Sequence, residues 1–127
     1  MQSGKSLKSI HDFYNVIAVD FDGTITEDIP YPLHAEIRPE AKVYIKKLYE
    51  LGFTLVLWTA RKDADYAECL QRLKDAGLYE YFDFSYADCG HTGKIRAYFY
   101  IDDRSCRKLD WQEVYDYIVK TTRQEEN

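Results

Sequence analysis

Cysteine is scarce and unpaired in this chain: Cys69, Cys89 and Cys106 form no C-x-x-C pair and are odd in number. That excludes a disulfide framework and fits free thiols in a reducing compartment, for which the cytoplasm is the default. Histidine is scattered at His11, His34 and His91, and only Cys89 and His91 are near neighbours, so zinc ligation has little support. No run approaches the roughly 18 apolar residues of a membrane span, and the start "MQSGKSLKSIHDFYN" has no apolar signal-peptide core. Net positive charge is absent too. The formal charge of −5 argues against broad nucleic-acid binding, although not against a local basic patch.

Two nucleotide motifs are missing in part or altogether. No G-x-G-x-x-G follows the first apolar run, so a dinucleotide site is not indicated. "GKS" at Gly4 to Ser6 has the end of a phosphate-binding loop but neither its first glycine nor a strand before it. A frayed polar terminus is the simpler reading.

The 127 residues present suit one domain with one core, with loose termini expected over 1–14 and 121–127. Short apolar runs alternate with helical patterns. "VIAV" (Val16 to Val19), "FTLVLW" (Phe53 to Trp58) and "AYFYI" (Ala97 to Ile101) read as strands buried on both faces of a parallel sheet. "FDFSY" (Phe82 to Tyr86) alternates, and reads as a more exposed strand. "RPEAKVYIKKLYELG" predicts a helix with Pro39 in its first turn, Val43, Leu48 and Leu51 inward with Ile45 and Tyr44 nearby, and a stop at Gly52. "DADYAECLQRLKDAG" repeats the plan, with a Tyr66, Cys69, Leu70, Leu73 stripe and a stop at Gly77. A last helix starts from Asp110 as cap, with Glu113 three residues on, and continues through Val114, Tyr117 and Ile118. Right-handed crossovers then give an α/β three-layer sandwich, Rossmann-like in outline, around a parallel sheet.

Parallel sheets bind ligands at the carboxyl ends of their strands. The three strongest strands end on Asp20, on Thr59-Ala60-Arg61 and on Asp102-Asp103-Arg104, and Lys94 closely precedes the third. Asp20, Asp22, Asp102 and Asp103 are four carboxylates set against one lysine. Gathered without a cation, they would repel one another and cost stability. A divalent cation resolves this, and an all-oxygen donor set with room for water and phosphate suits Mg²⁺.

"DFDGT" after an apolar run, then Thr59 at a strand end, Lys94 and Asp102-Asp103, resembles the haloacid dehalogenase (HAD) superfamily of phosphotransferases from Val16 to Arg104. The resemblance implies Asp20 as nucleophile, forming an aspartyl-phosphate. It implies Asp22 as general acid and base, its backbone carbonyl helping to bind Mg²⁺. Thr59 would hydrogen-bond a phosphoryl oxygen, Lys94 would neutralise charge, and Asp20, Asp22, Asp102 and Asp103 would make up the metal site. An acid–base carboxylate favours phosphate esters over carbon–halogen bonds, so a phosphatase is expected rather than a dehalogenase.

Two departures from the family pattern stand out. Thirty-eight residues separate Asp20 from Thr59 and 34 separate Thr59 from Lys94, and a helix and a strand nearly fill each interval. No cap domain fits, and capless relatives act on large substrates or take a lid from another subunit, so a homo-oligomer is one expectation. The second departure is the compact Asp102-Asp103 pair, which leaves the direct ligand open. Gly23, Thr24, Ala60, Arg61, His34 and Arg104 are candidate substrate contacts, with Tyr31 and Glu36 in the flap-like segment from Thr26 to Arg38. A solvated rim or an ordinary polar loop is the plain alternative for the charged ones. Cys69 lies on a core stripe and is expected to be inert.

Two other functions fit less well. A phospho-accepting receiver domain would place its acidic pair first and its lysine last, the reverse of this order. A catalytically silent module binding a phosphorylated partner is the remaining alternative, although every catalytic position is occupied. The substrate class, from sugar phosphate to phosphoprotein, is not encoded in these motifs.

Overall fold

The computed structural model describes residues 15–29, 33–85, 97–102 and 109–126, with side chains of the last helix to Thr122. Their order is β1 (Val16–Val19), α1 (Pro39–Glu50), β2 (Thr54–Leu57), α2 (Asp63–Asp75), a 3₁₀ turn (Tyr79–Tyr81), β3 (Phe99–Ile101) and α3 (Trp111–Glu126). The three strands are parallel in the order β2-β1-β3, which puts β1 in the centre. This is a small α/β sandwich fold, and no cap is evident among the described residues.

Strand alternation separates the two faces of the sheet. Ile17, Val19, Leu55, Leu57 and Ile101 share one face, and buried residues of all three helices join them, including Ala41, Ile45, Leu48, Cys69, Leu73, Trp111 and Ile118. On the other face Val16, Ala18 and Val56 are fully buried, with Trp58 and Ala97 packed against them. Every residue of β1 and β2 is buried, as their unbroken apolar runs require.

Local punctuation acts as the sequence predicts. Pro39 opens α1, and Gly52 at φ +101° and Gly77 at φ +76° turn the chain after α1 and α2 in conformations that favour glycine. Asp110 caps α3 through Oδ1, which accepts the amides of Gln112 (3.0 Å) and Glu113 (3.1 Å).

Four expectations need correction. β3 is not buried on both faces: Ile101 is buried, but Phe99 is half-buried and Tyr100 exposed, because β3 has a strand partner on only one side among the described residues. Over its described residues, Phe82 to Ser85, "FDFSY" does not form a continuous strand, and Tyr86 lies outside the described residues. Phe82 makes a single parallel bridge to Leu55, then the Asp83 carboxylate accepts both the amide (2.9 Å) and hydroxyl (2.5 Å) of Ser85 and bends the chain away. In α1 the inward positions are Ala41, Ile45 and Leu48. Val43 lies two positions off that stripe, Leu51 sits beyond the last turn, and both are exposed. Finally, α3 runs on to Glu126 where a loose tail was expected from Thr121.

Candidate active site

The strand ends converge at one edge. The Asp20 amide donates to the Ile101 carbonyl (2.9 Å) and the Trp58 amide to the Val19 carbonyl (2.9 Å). Asp20, Thr59 and Asp102 therefore stand at the tips of three adjacent strands. Thr59 is buried, and its hydroxyl oxygen accepts the Arg61 amide (3.2 Å), leaving the hydroxyl hydrogen to be donated elsewhere.

Beyond Asp20 the chain folds into a tight turn. The Phe21 carbonyl accepts the amides of Thr24 (3.2 Å), Ile25 (3.0 Å) and Thr26 (3.2 Å). Gly23 supplies the positive φ of 81° that the reversal needs, and its amide donates to Thr26 Oγ1 (2.9 Å). Thr24 Oγ1 lies 3.5 Å from Asp20 Oδ2. Distant residues fix the turn from outside. Arg38 donates to the Thr26 carbonyl (Nε, 2.8 Å) and the Gly23 carbonyl (Nη2, 3.0 Å), and Trp111 Nε1 donates to the Thr24 carbonyl (2.9 Å).

The two aspartates of the turn have different surroundings. Asp22 is gripped by Arg61, with Nε 2.9 Å from Oδ2 and Nη2 2.7 Å from Oδ1. The Arg61 side chain is only 7% exposed, and its Nη1 also donates to Glu68 Oε1 (2.9 Å). Burial works against the Arg61 charge, but the hydrogen bonds and charge of Asp22, helped by Glu68, outweigh it and hold the guanidinium above its ordinary pKa. Two guanidinium groups lie over the Phe21 ring, that of Arg61 5.1 Å and that of Arg72 5.7 Å from its centroid.

The flap-like segment is closed at its base. Thr26 and Ile37 pair antiparallel, the Glu27 amide donates to the Glu36 carbonyl (2.8 Å), and Arg72 Nη2 donates to the Ala35 carbonyl. His34 faces solvent and meets Glu36 at 3.1 Å. Ala60 is exposed beside Thr59. Lys94, Asp103, Arg104 and Tyr31 lie outside the described residues.

The donor chemistry suits a hard cation. Asp20 and Asp102 bring carboxylate oxygens to neighbouring strand tips, and the Phe21, Gly23 and Thr24 carbonyls all accept hydrogen bonds while the Asp22 carbonyl accepts none among the described residues. The Asp22 carboxylate is held by Arg61, so its backbone oxygen is the better donor. Among the described residues no three His, Cys, Asp or Glu side chains group closely enough to form a cage by themselves. Magnesium, which keeps several waters, does not require one. The sequence reading missed Arg38, Trp111 and Glu68, and did not foresee that Arg61, a candidate substrate contact, pairs with Asp22. Their partners lie up to 87 residues away, where no local pattern points.

Fold and site together define a small α/β domain, with no cap evident among the described residues, carrying an acidic edge where the strands of its parallel sheet end. The chain matches no protein-family model and no curated protein. Among solved structures it is similar to one described as the conserved protein coded by locus from Bacteroides thetaiotaomicron. The two share 31% identity over 84% of this chain and 90% of that one, with a TM-score of 0.68. This chain belongs to the same family as that conserved Bacteroides protein.

Proposed function

We propose that this protein is a cytoplasmic, Mg²⁺-dependent phosphatase of the HAD superfamily that hydrolyses a phosphomonoester through an aspartyl-phosphate on Asp20. One observation carries the reading. The hydrogen bond from the Asp20 amide to the Ile101 carbonyl sets the tips of β1 and β3 side by side, so that Asp20 and Asp102 share an edge with Thr59. The motif order of the sequence assigns these residues to that chemistry.

In the first step an Asp20 oxygen attacks phosphorus, and the bond from phosphorus to the ester oxygen breaks. Asp22 gives its proton to the departing oxygen, completing the alcohol product. In the second step Asp22 takes a proton from water, whose oxygen attacks the phosphorus of the aspartyl-phosphate. Inorganic phosphate leaves and the Asp20 carboxylate is restored. Thr59 donates its hydroxyl hydrogen to a phosphoryl oxygen, and Lys94 neutralises charge on the same group. The Asp20 carboxylate, the Asp22 carbonyl and the Asp102-Asp103 pair would hold magnesium, which when bound offsets phosphoryl charge and orients the phosphate. With no cap evident among the described residues, a large substrate or a second copy of the chain supplying the lid fits the edge.

The test is release of p-nitrophenol from p-nitrophenyl phosphate, with Mg²⁺ and with EDTA. Activity should vanish on chelation and return with Mg²⁺. Asp20→Asn should lower kcat by at least about 10⁴-fold, since the nucleophile is gone, while circular dichroism stays native. Metal-dependent turnover surviving in Asp20→Asn overturns the assignment.

A further inference from the structure

The carbonyl groups of the turn after β1 are committed almost without exception. That of Phe21 accepts three amides of the turn itself, from Thr24, Ile25 and Thr26. Arg38 serves three more. Its Nη2 donates to the Gly23 carbonyl (3.0 Å), its Nε to that of Thr26 (2.8 Å) and its own amide to that of Ile25 (2.8 Å). Trp111 Nε1 donates to the Thr24 carbonyl. From Phe21 to Thr26, only the Asp22 carbonyl accepts no hydrogen bond among the described residues.

Peptide geometry gives that carbonyl its direction. In a trans peptide unit the carbonyl and the amide that follows it point to opposite sides. The Gly23 amide points into the turn, at Thr26 Oγ1 (2.9 Å), so the Asp22 carbonyl points out of it. Thr26 is 1% exposed, and Arg38 holds it by its carbonyl from the start of α1.

We propose that Arg38 and Thr26 are positioning residues for the cation: together they fix the Asp22–Gly23 peptide unit so that its carbonyl oxygen is a ligand to magnesium. This role rests on the magnesium site of the phosphatase reading. Glycine lets an unbraced peptide plane rotate, and magnesium, which demands near-ideal octahedral geometry, tolerates little of that. The Arg38 charge by itself repels a cation, so the support that it gives is geometric. A lysine in its place keeps the charge and loses the planar fork, which separates the two effects. Valine in place of Thr26 keeps the shape of the side chain and loses the hydroxyl that orients the Gly23 amide.

The experiment measures Mn²⁺ binding, by the electron paramagnetic resonance signal of the free ion and its competition by Mg²⁺. It compares the wild type with Arg38→Lys and Thr26→Val, each checked for native circular dichroism, and either variant serves if the other fails to fold. Both should weaken binding about 10-fold, as the loss of a support behind a metal ligand does. Backbone carbonyl carbon-13 shifts give a readout that a merely structural role would not move. On addition of Mg²⁺ to the wild type, the Asp22 carbonyl should shift more than those of Gly23 and Thr24, and in Thr26→Val that preference should be lost.

Unchanged affinity in the folded variants, or an Asp22 carbonyl that Mg²⁺ does not shift, would overturn the positioning role alone, since Mg²⁺-dependent turnover by the wild type would still support the phosphatase. Expected losses of affinity with no turnover of any ester would overturn the phosphatase reading and leave the positioning role in place. A wild type that binds neither Mn²⁺ nor Mg²⁺ would overturn both.

Discussion

β1 and β3 run side by side to the same edge and each ends at an aspartate, yet the protein supports them very differently. All four residues of β1 are fully buried, and the turn after it is held by Arg38, Arg61 and Trp111 from three other parts of the chain. β3 has three described residues, of which only Ile101 is buried, and the Tyr100 ring packs against Trp58 with one side open to solvent. The nucleophile and acid proposed here need fixed geometry, and they sit on the braced strand. Asp102, proposed as a metal ligand, sits on the lighter one, while the turn holding Asp20 and Asp22 is held from several sides. The division follows from sheet position: a central strand has neighbours on both sides and both faces, whereas β3 has one described strand partner.

The largest expected effect breaks the bracing itself. Trp111 is 1% exposed and donates its indole hydrogen to the Thr24 carbonyl, so Trp111→Ala removes a large buried ring and leaves a buried carbonyl unpaired. A loss of about 3–5 kcal/mol in urea unfolding is expected. Tyr117, on the same helix but 62% exposed, should change stability by no more than about 0.5 kcal/mol when replaced by alanine. Similar losses for the two would show that α3 does not brace the turn through Trp111.

A matched pair sharpens the contrast between the strands. Ile17 and Phe99 are direct partners in the parallel ladder and point to the same face, but Ile17 is fully buried and Phe99 half-buried. Ile17→Ala should cost about 3 kcal/mol. Phe99→Ala, although it deletes more atoms, should cost only about 1–2 kcal/mol because much of that ring already faces water. A greater cost at Phe99 would reverse the ranking of the two strands.

How far this contrast could be read in advance depended on the range of the interaction. Val16 to Val19, Pro39, Gly52, Gly77 and Asp110 announce themselves through local rules and the structure follows each, and the run Phe53 to Trp58 forms its strand over Thr54–Leu57. The convergence of Asp20, Thr59 and Asp102 was legible too, since parallel strands must end at a common edge. What escaped was side-chain partnership across long separations. Arg61 was a candidate substrate contact, and its pairing with Asp22, 39 residues earlier, is something nothing in "TAR" reveals. The Trp111 contact spans 87 residues and depends on how α3 crosses the sheet. "AYFYI" and "VIAV" look alike as apolar runs, and only the strand order distinguishes an edge from a centre. In "FDFSY" the alternation was real, but the Asp83 carboxylate takes up the Ser85 amide and hydroxyl and ends the pairing.

A last prediction tests how well the β1 side is sealed. Cys69, on α2, is fully buried in the cluster that includes Ile17 and Val19. Burial is the main cause that pushes its thiol up to about 12; Arg61 and Arg72 pull it back, while Asp22 and Asp20 add to the rise. In the unfolded chain the thiol ionises at its ordinary value, near 9. Between those two values the unfolded state loses its proton while the folded state keeps it. Stability is therefore fully present below pH 9 and falls as pH rises toward 12, by at most about 1.4 kcal/mol per unit. Cys69→Ala deletes this contribution and leaves the ionisation of tyrosines and lysines common to both proteins. The difference in unfolding free energy between wild type and variant, measured by urea titration from pH 8 to 11, should be constant up to about pH 9. Above that it should shrink, as the wild type loses stability that the variant never had. Parallel curves through the whole range would mean that solvent reaches the thiol, and the central strand would then be no better sealed than its neighbour.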